Sequence, residues 1–195
     1  MPLRSGLQRF HAKQYREALV DFTAALNPSK DLRAEQRGGS RQAELGYWIG
    51  RVHDALGETD KARGSWNEVV ALKASPERGG GPPRDNSLAR RAQHYYQALA
   101  RQKLGGADDV KAAFRELVNA GDAALQPSDN TDDSAPSSGE RQPSRGRTAT
   151  AHYVAGLGYA GLDDKENARK EFAAALASSP DHLGAKLALD QLNLP

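Results

Sequence analysis

Four stretches of this chain carry one pattern of small and aromatic residues, and an internal repeat restricts the fold more than any single motif does. In the clearest stretch, 149–182, a first helix bears His152, Ala155, Gly156 and Tyr159. A turn at Gly161-Leu162-Asp163 leads into a second helix with Ala168, Phe172 and Ala175, and Pro180 closes the unit. The stretch 43–76 places Gly50, His53, Leu56-Gly57, Ala62 and Trp66 in the same order, and 91–122 has Ala98, Leu104-Gly105, Val110 and Phe114. The stretch 1–30 has Gly6, Tyr15, Ala18, Phe22 and Ala25 behind a short first helix. That helix begins almost at Met1, which points to a fragment or the end of a larger protein. Small residues let the two helices of a hairpin approach closely, while Trp66, Phe114 and Phe172 fill the grooves between neighbouring hairpins.

This series of large, small, small and aromatic residues, followed by A-x-x-x-F-x-x-A and a proline, resembles the tetratricopeptide repeat family. The resemblance implies an all-α chain: a right-handed superhelix of about four helical hairpins, forming one solenoid over 1–195. A capping helix over 181–193 should cover the last hairpin with Leu183, Leu187, Leu189 and Leu192, as terminal units of repeat arrays do. Units of that family follow each other at about 34 residues. Here Ala18, Ala62, Val110 and Ala168 stand 44, 48 and 58 apart. The surplus falls between units, at 27–40, 74–87 and 126–147. The last of these has no Ile, Leu, Val, Phe, Tyr or Trp. It cannot bury enough apolar area to offset its ordering entropy and is expected to be disordered. Asp163 with Glu166 reads as a capping box, Thr59 and Asp108 as equivalent caps, and Asp181 as the start of the final helix.

Several kinds of chemistry lack their residues. The chain has no cysteine, hence no disulfide and no thiolate site, and no cofactor or metal is expected. Its 27 Lys and Arg against 25 Asp and Glu leave a net charge of +2, too even to argue for nucleic acid or a membrane surface. No run of apolar residues is long enough to span a bilayer, and no signal peptide opens the chain, so a cytoplasmic location is the simplest expectation. Neither a phosphate-binding glycine loop nor an H-E-x-x-H motif is present. His53, His94 and His152 fall in slots that the repeat fills with large residues, so packing explains them better than catalysis. The pairs Asp108-Asp109 and Asp163-Asp164 stand at helix starts, where the macrodipole accounts for them. Ser, Pro and Arg residues of 134–147, with Arg141, Arg145 and Arg147, read as a solvated linker rather than a phosphate-regulated segment. No catalytic residue is expected.

Tyr47, Tyr95 and Tyr153 recur in one slot of three successive first helices. The resemblance implies that this slot faces the concave groove, with Arg51, Asp54, Gln102 and Lys103 on the same faces. Tyrosine suits such a surface, having a large apolar face, a polar tip and few rotors to freeze. The expected function is a protein–protein interaction scaffold that binds a peptide or partner helix. The family's Lys and Asn clamp for acidic chain ends is missing, because these faces carry Tyr47, Arg51, Tyr95, Leu99, Tyr153 and Leu157. A second reading starts from His94-Tyr95-Tyr96, His152-Tyr153-Val154 and Gly156-Leu157-Gly158-Tyr159. These strings resemble the C-terminal helical arrays of large bacterial proteins with a carbohydrate-active-type N-terminal domain, which implies an accessory role in such a protein.

Overall fold

The computed structural model describes residues 2–26, 41–72, 86–106, 110–126 and 145–192. Of the expected inserts 27–40, 74–87 and 126–147, the residues 27–40, 74–85 and 127–144 lie outside the described residues, as does the expected cap Asp108. Among the described residues every regular element is helical. These elements are α1 (Pro2–His11), α2 (Tyr15–Leu26), α3 (Gln42–Ala55), α4 (Thr59–Ala71), α5 (Asn86–Lys103), α6 (Val110–Leu125), α7 (Arg145–Gly161), α8 (Lys165–Ser178) and α9 (Leu183–Leu192). The fold is all-α. Two helices start earlier than their repeat stretches: α5 takes in the end of the second insert and α7 the end of the third.

The sequence reading treats 1–195 as one array, whereas the contacts group the chain into two compact units, Met1–Ala113 and Phe114–Pro195. Each hairpin of a repeat protein touches only its neighbours in sequence, so a long array parts readily into blocks. In the first unit α1 packs on α2, α2 on α3, α3 on α4 and α5, and α4 on α5. In the second, α7 packs on α8, and α9 packs on both.

The repeat residues interlock as their sizes require, but Trp66 and Phe172 fill the groove inside their own hairpin instead of the expected groove between hairpins. Of the three, only Phe114 reaches the next hairpin, at Gly161. A Cβ added at Gly6 would lie 2.6 Å from the Phe22 ring, and one at Gly156 would lie 2.5 Å from Phe172. At Gly50 it would run into Trp66. Phe22, Phe114 and Phe172 are among the largest fully buried side chains, and Ala18, Ala62 and Ala168 are wholly enclosed. The second unit adds glycine contacts of its own. Gly158 lies against Phe114 and Val118, and Gly121 against Ala151 and Ala155.

Four of the described helices end in the same way. Lys13, Gly57, Gly105 and Asp163 sit at matching positions and all adopt positive φ, at 59°, 76°, 97° and 62°. Each N–H bonds to the carbonyl three residues back: Lys13 to Phe10, Gly57 to Asp54, Gly105 to Gln102 and Asp163 to Ala160. The next N–H reaches five back, from Gln14 to Arg9, Glu58 to His53, Gly106 to Arg101 and Asp164 to Tyr159. This is the Schellman closure, which satisfies the last carbonyls of a first helix and reverses the chain.

That closure also corrects the expected caps. Asp163 is the left-handed residue, so capping passes to Asp164, whose carboxylate accepts the Asn167 N–H at 3.1 Å and the Asn167 side-chain amide at 2.7 Å. Those two bonds hold the Asp164 carboxyl below its ordinary range. Thr59 is the first residue of α4, not its cap. Glu58 stands in the cap position without a side-chain cap bond, because its carboxylate meets the His53 ring at 2.6 Å and the Lys61 ammonium at 3.1 Å. The final helix is capped by His182 rather than Asp181: the Ala185 N–H donates to its Nδ1 at 3.1 Å.

Two predictions follow from this geometry. A residue with a Cβ in the left-handed region costs roughly 1 kcal/mol that glycine does not. Lys13→Gly and Asp163→Gly should therefore gain a few tenths to about 1 kcal/mol in urea unfolding, while Gly57→Ala should lose about as much. Gly156→Ala adds helix propensity of about 1 kcal/mol, but overpacking against Phe172 costs about 1–3 kcal/mol. The clash wins, and the thermal midpoint should fall.

Candidate partner-binding surface

The seven residues singled out in the sequence divide between the units. Tyr47, Arg51, Asp54, Tyr95, Gln102 and Lys103 belong to the first unit and Tyr153 to the second. Asp54, Gln102 and Lys103 are exposed near the ends of α3 and α5, and Arg51 and Tyr95 are half-buried.

Tyr47 and Tyr153 are largely enclosed, at 5% and 8% exposure. The Tyr47 ring lies 5.7 Å from Trp48 and 5.9 Å from Tyr96, and its backbone carbonyl accepts the Trp66 indole N–H at 3.3 Å. Tyr153 is boxed in by Phe172 at 6.1 Å and His182 at 4.8 Å. Gly184 at the start of α9 comes so close that a Cβ there would lie 2.8 Å from the Tyr153 ring. The terminal helix therefore lies against the residue expected to meet a partner. Leu187 is buried, and Leu183, Leu189 and Leu192 are half-buried. In these two slots tyrosine acts as a packing residue whose ring faces are already used.

Around Arg51 the first unit holds an aromatic cluster that sequence reasoning only partly anticipates. Its guanidinium carbon lies 5.5 Å from the Phe10 ring centre and 5.7 Å from that of Trp48. Its Nη1 donates to the Tyr47 hydroxyl at 3.3 Å. Phe10 packs on Trp48 at 5.3 Å and on Tyr15 at 5.5 Å, and the His11 ring lies 6.3 Å from Trp48. Burial lowers the His11 imidazole's affinity for protons, and the charge of Arg51 lowers it further. Tyr95 meets Tyr96 at 5.1 Å; burial, then Tyr47, pushes its phenol upward. Tyr47, Trp48 and Arg51 share a helix face by their spacing, so their grouping was open to sequence reading. Phe10 and His11 join them through tertiary packing, which no local signal reports.

Comparison with protein-family models, curated proteins and solved structures finds no match. The reading of this surface rests on its own geometry.

Other polar groups serve the framework. His53 pairs with Glu58, and His152 Nδ1 lies 2.8 Å from Glu171. Gln97 donates to the Val69 and Leu72 carbonyls at 3.3 and 2.8 Å, closing the end of α4 from α5. Among the described residues no group of three His, Cys, Asp or Glu side chains is arranged to hold a metal ion, and no helix is long and apolar enough to cross a membrane.

Glu44 is the one buried charged residue among those described, at 6% exposure. The Tyr96 hydroxyl donates to it at 3.0 Å, and Arg41 lies 3.5 Å away. Burial raises its carboxyl above the ordinary value, against the opposing pulls of Arg41 and Tyr96. A raised carboxyl binds protons more tightly in the folded chain than in the unfolded one. Its contribution is thus fully present below the ordinary carboxylate range and is lost as pH rises through the raised value. Glu44→Gln should remove that fall from a plot of thermal midpoint against pH and be at least as stable as wild type at neutral pH.

Proposed function

We propose that this chain is a tetratricopeptide-type scaffold that binds an extended peptide or a partner helix on the first helices of its hairpins. The observation that carries the reading is the shared closure at Lys13, Gly57, Gly105 and Asp163, joined to the small-residue and aromatic interlocks. Successive helix pairs are thereby built alike, which is the condition for a superhelical array. Such an array presents its first helices side by side. In the first unit these helices offer exposed Asp54, Gln102 and Lys103 beside half-buried Arg51 and Tyr95. A rigid helical surface with aromatic anchors and a polar surround suits peptide recognition. The site is narrower than the tyrosine strip read from sequence, since the Tyr47 and Tyr153 rings are engaged within the chain. We place the chain as a binding module rather than an enzyme.

The test places a photo-crosslinking amino acid at exposed positions, where folding is undisturbed. Asp54 and Gln102 probe the first helices, and Glu17 and Glu68 the second helices. Illumination in a lysate of the source organism should give a discrete adduct from Asp54 and Gln102 and none from Glu17 and Glu68. Adducts from the second-helix positions alone would refute the reading.

A further inference from the structure

We propose that Arg51, packed against the rings of Phe10 and Trp48, is an anion receptor that seats an Asp or Glu side chain of an acidic partner peptide. The inference rests on the scaffold reading above and names the chemistry of its partner.

Arg51 has stacking partners but no counter-charge. Two other arginines of the unit have a counter-charge, Arg9 with Asp21 at 2.9 Å and Arg41 with Glu44 at 3.5 Å; what sets Arg51 apart is a guanidinium held against two rings without one. Among the described residues no carboxylate lies within ion-pair distance of Arg51, whose one hydrogen bond goes to the Tyr47 hydroxyl. A guanidinium carries five N–H donors in a planar fork suited to a carboxylate, so most of that fork is unused. Its position is also fixed, because two rings hold the guanidinium by cation–π contact. Little side-chain entropy remains to be lost when a ligand arrives.

The surroundings supply donors rather than acceptors of charge. The buried Trp48 indole N–H has no hydrogen-bond partner. His11 is exposed beside the cluster and close enough to Arg51 for that charge to lower its affinity for protons, after burial. Basic residues prevail on the exposed parts of the first helices of this unit: Arg4, Arg101 and Lys103 are exposed and Arg51 is half-buried, against exposed Asp54, while Glu44 is buried and Arg9 is paired with Asp21. A chain terminus brings one carboxylate to one point. Basic residues spread over three helices instead match a segment with several acidic side chains, one of which occupies Arg51 while a neighbouring apolar side chain meets the half-buried Phe10 and Tyr95.

The test selects peptides from a random phage-displayed library on the full chain and synthesises the winners with amidated C-termini. Internal side chains are then their only carboxylates. Binding is read by fluorescence anisotropy against wild type, Arg51→Met and Arg51→Lys, with near-ultraviolet circular dichroism as the fold check. Winners should be rich in Asp and Glu and should bind less tightly as salt is added. Affinity should drop about tenfold or more for Arg51→Met, or when the peptide's acids become amides, and Arg51→Lys should recover part of it. Winners without acids, or acidic winners held equally by folded Arg51→Met, would overturn the anion receptor and leave the scaffold reading standing. An empty selection would remove both. If Arg51→Met fails to fold, the amide-substituted peptides on wild type decide the question.

Discussion

An aromatic ring lying where the facing helix has no side chain is the contact on which three of the hairpins depend. Phe22 against Gly6, Trp66 against Gly50 and Phe172 against Gly156 set how near two helices can come. That separation places the enclosed alanines Ala18, Ala62 and Ala168 in registers where a larger residue would not fit. Core packing of this density tolerates little change in volume, so the interlock fixes both distance and register. The chain has only 6% aromatic residues, and a large share of them are spent on this contact and on the cluster around Arg51.

The hairpin turn complements the interlock. A Schellman closure satisfies the terminal carbonyls of the first helix and points the chain back along it, at the cost of one residue in the left-handed region. Glycine meets that cost at positions 57 and 105, whereas Lys13 and Asp163 bear it with a Cβ. Asp163 belongs to a turn whose next residue caps α8 through two bonds to Asn167, which offsets part of the strain. The same local solution appears in both compact units, so it belongs to the repeat rather than to either unit's surroundings.

Polar groups in the first unit separate into satisfied and unsatisfied sets. Glu44, Gln97, His53 and Glu58 each find partners that tie one helix to the next. The buried Trp48 indole N–H does not, and Arg51 makes a single hydrogen bond, to the Tyr47 hydroxyl, beside its two ring contacts. Most of the Arg51 donors are left over after that bond, which is why this cluster, rather than the tyrosine series, marks the candidate site.

The partners of Trp66 and Phe172, which lie in their own hairpins, were not legible in the sequence, whereas the helical class, the helix pairs, the turns at Gly57, Gly105 and Asp163 and the residue types of the interlock were. Each depends on spacing within about one hairpin, and short-range spacing is what a linear pattern records. Cap residues were misplaced by one position at Thr59, Asp163 and Asp181, because adjacent polar residues look alike in a sequence; at Asp163 it is the turn's positive φ that passes the cap to Asp164. The recurrence of Tyr47, Tyr95 and Tyr153 was equally plain, but a slot does not say whether its side chain meets a partner or the chain itself. Only the tertiary structure decided that. Trp48 and Tyr96 closed over Tyr47, α9 closed over Tyr153, and Phe10 arrived from another hairpin to hold Arg51. Burial is a property of what packs from elsewhere, so the residues of a surface are settled by contacts between segments far apart in the chain.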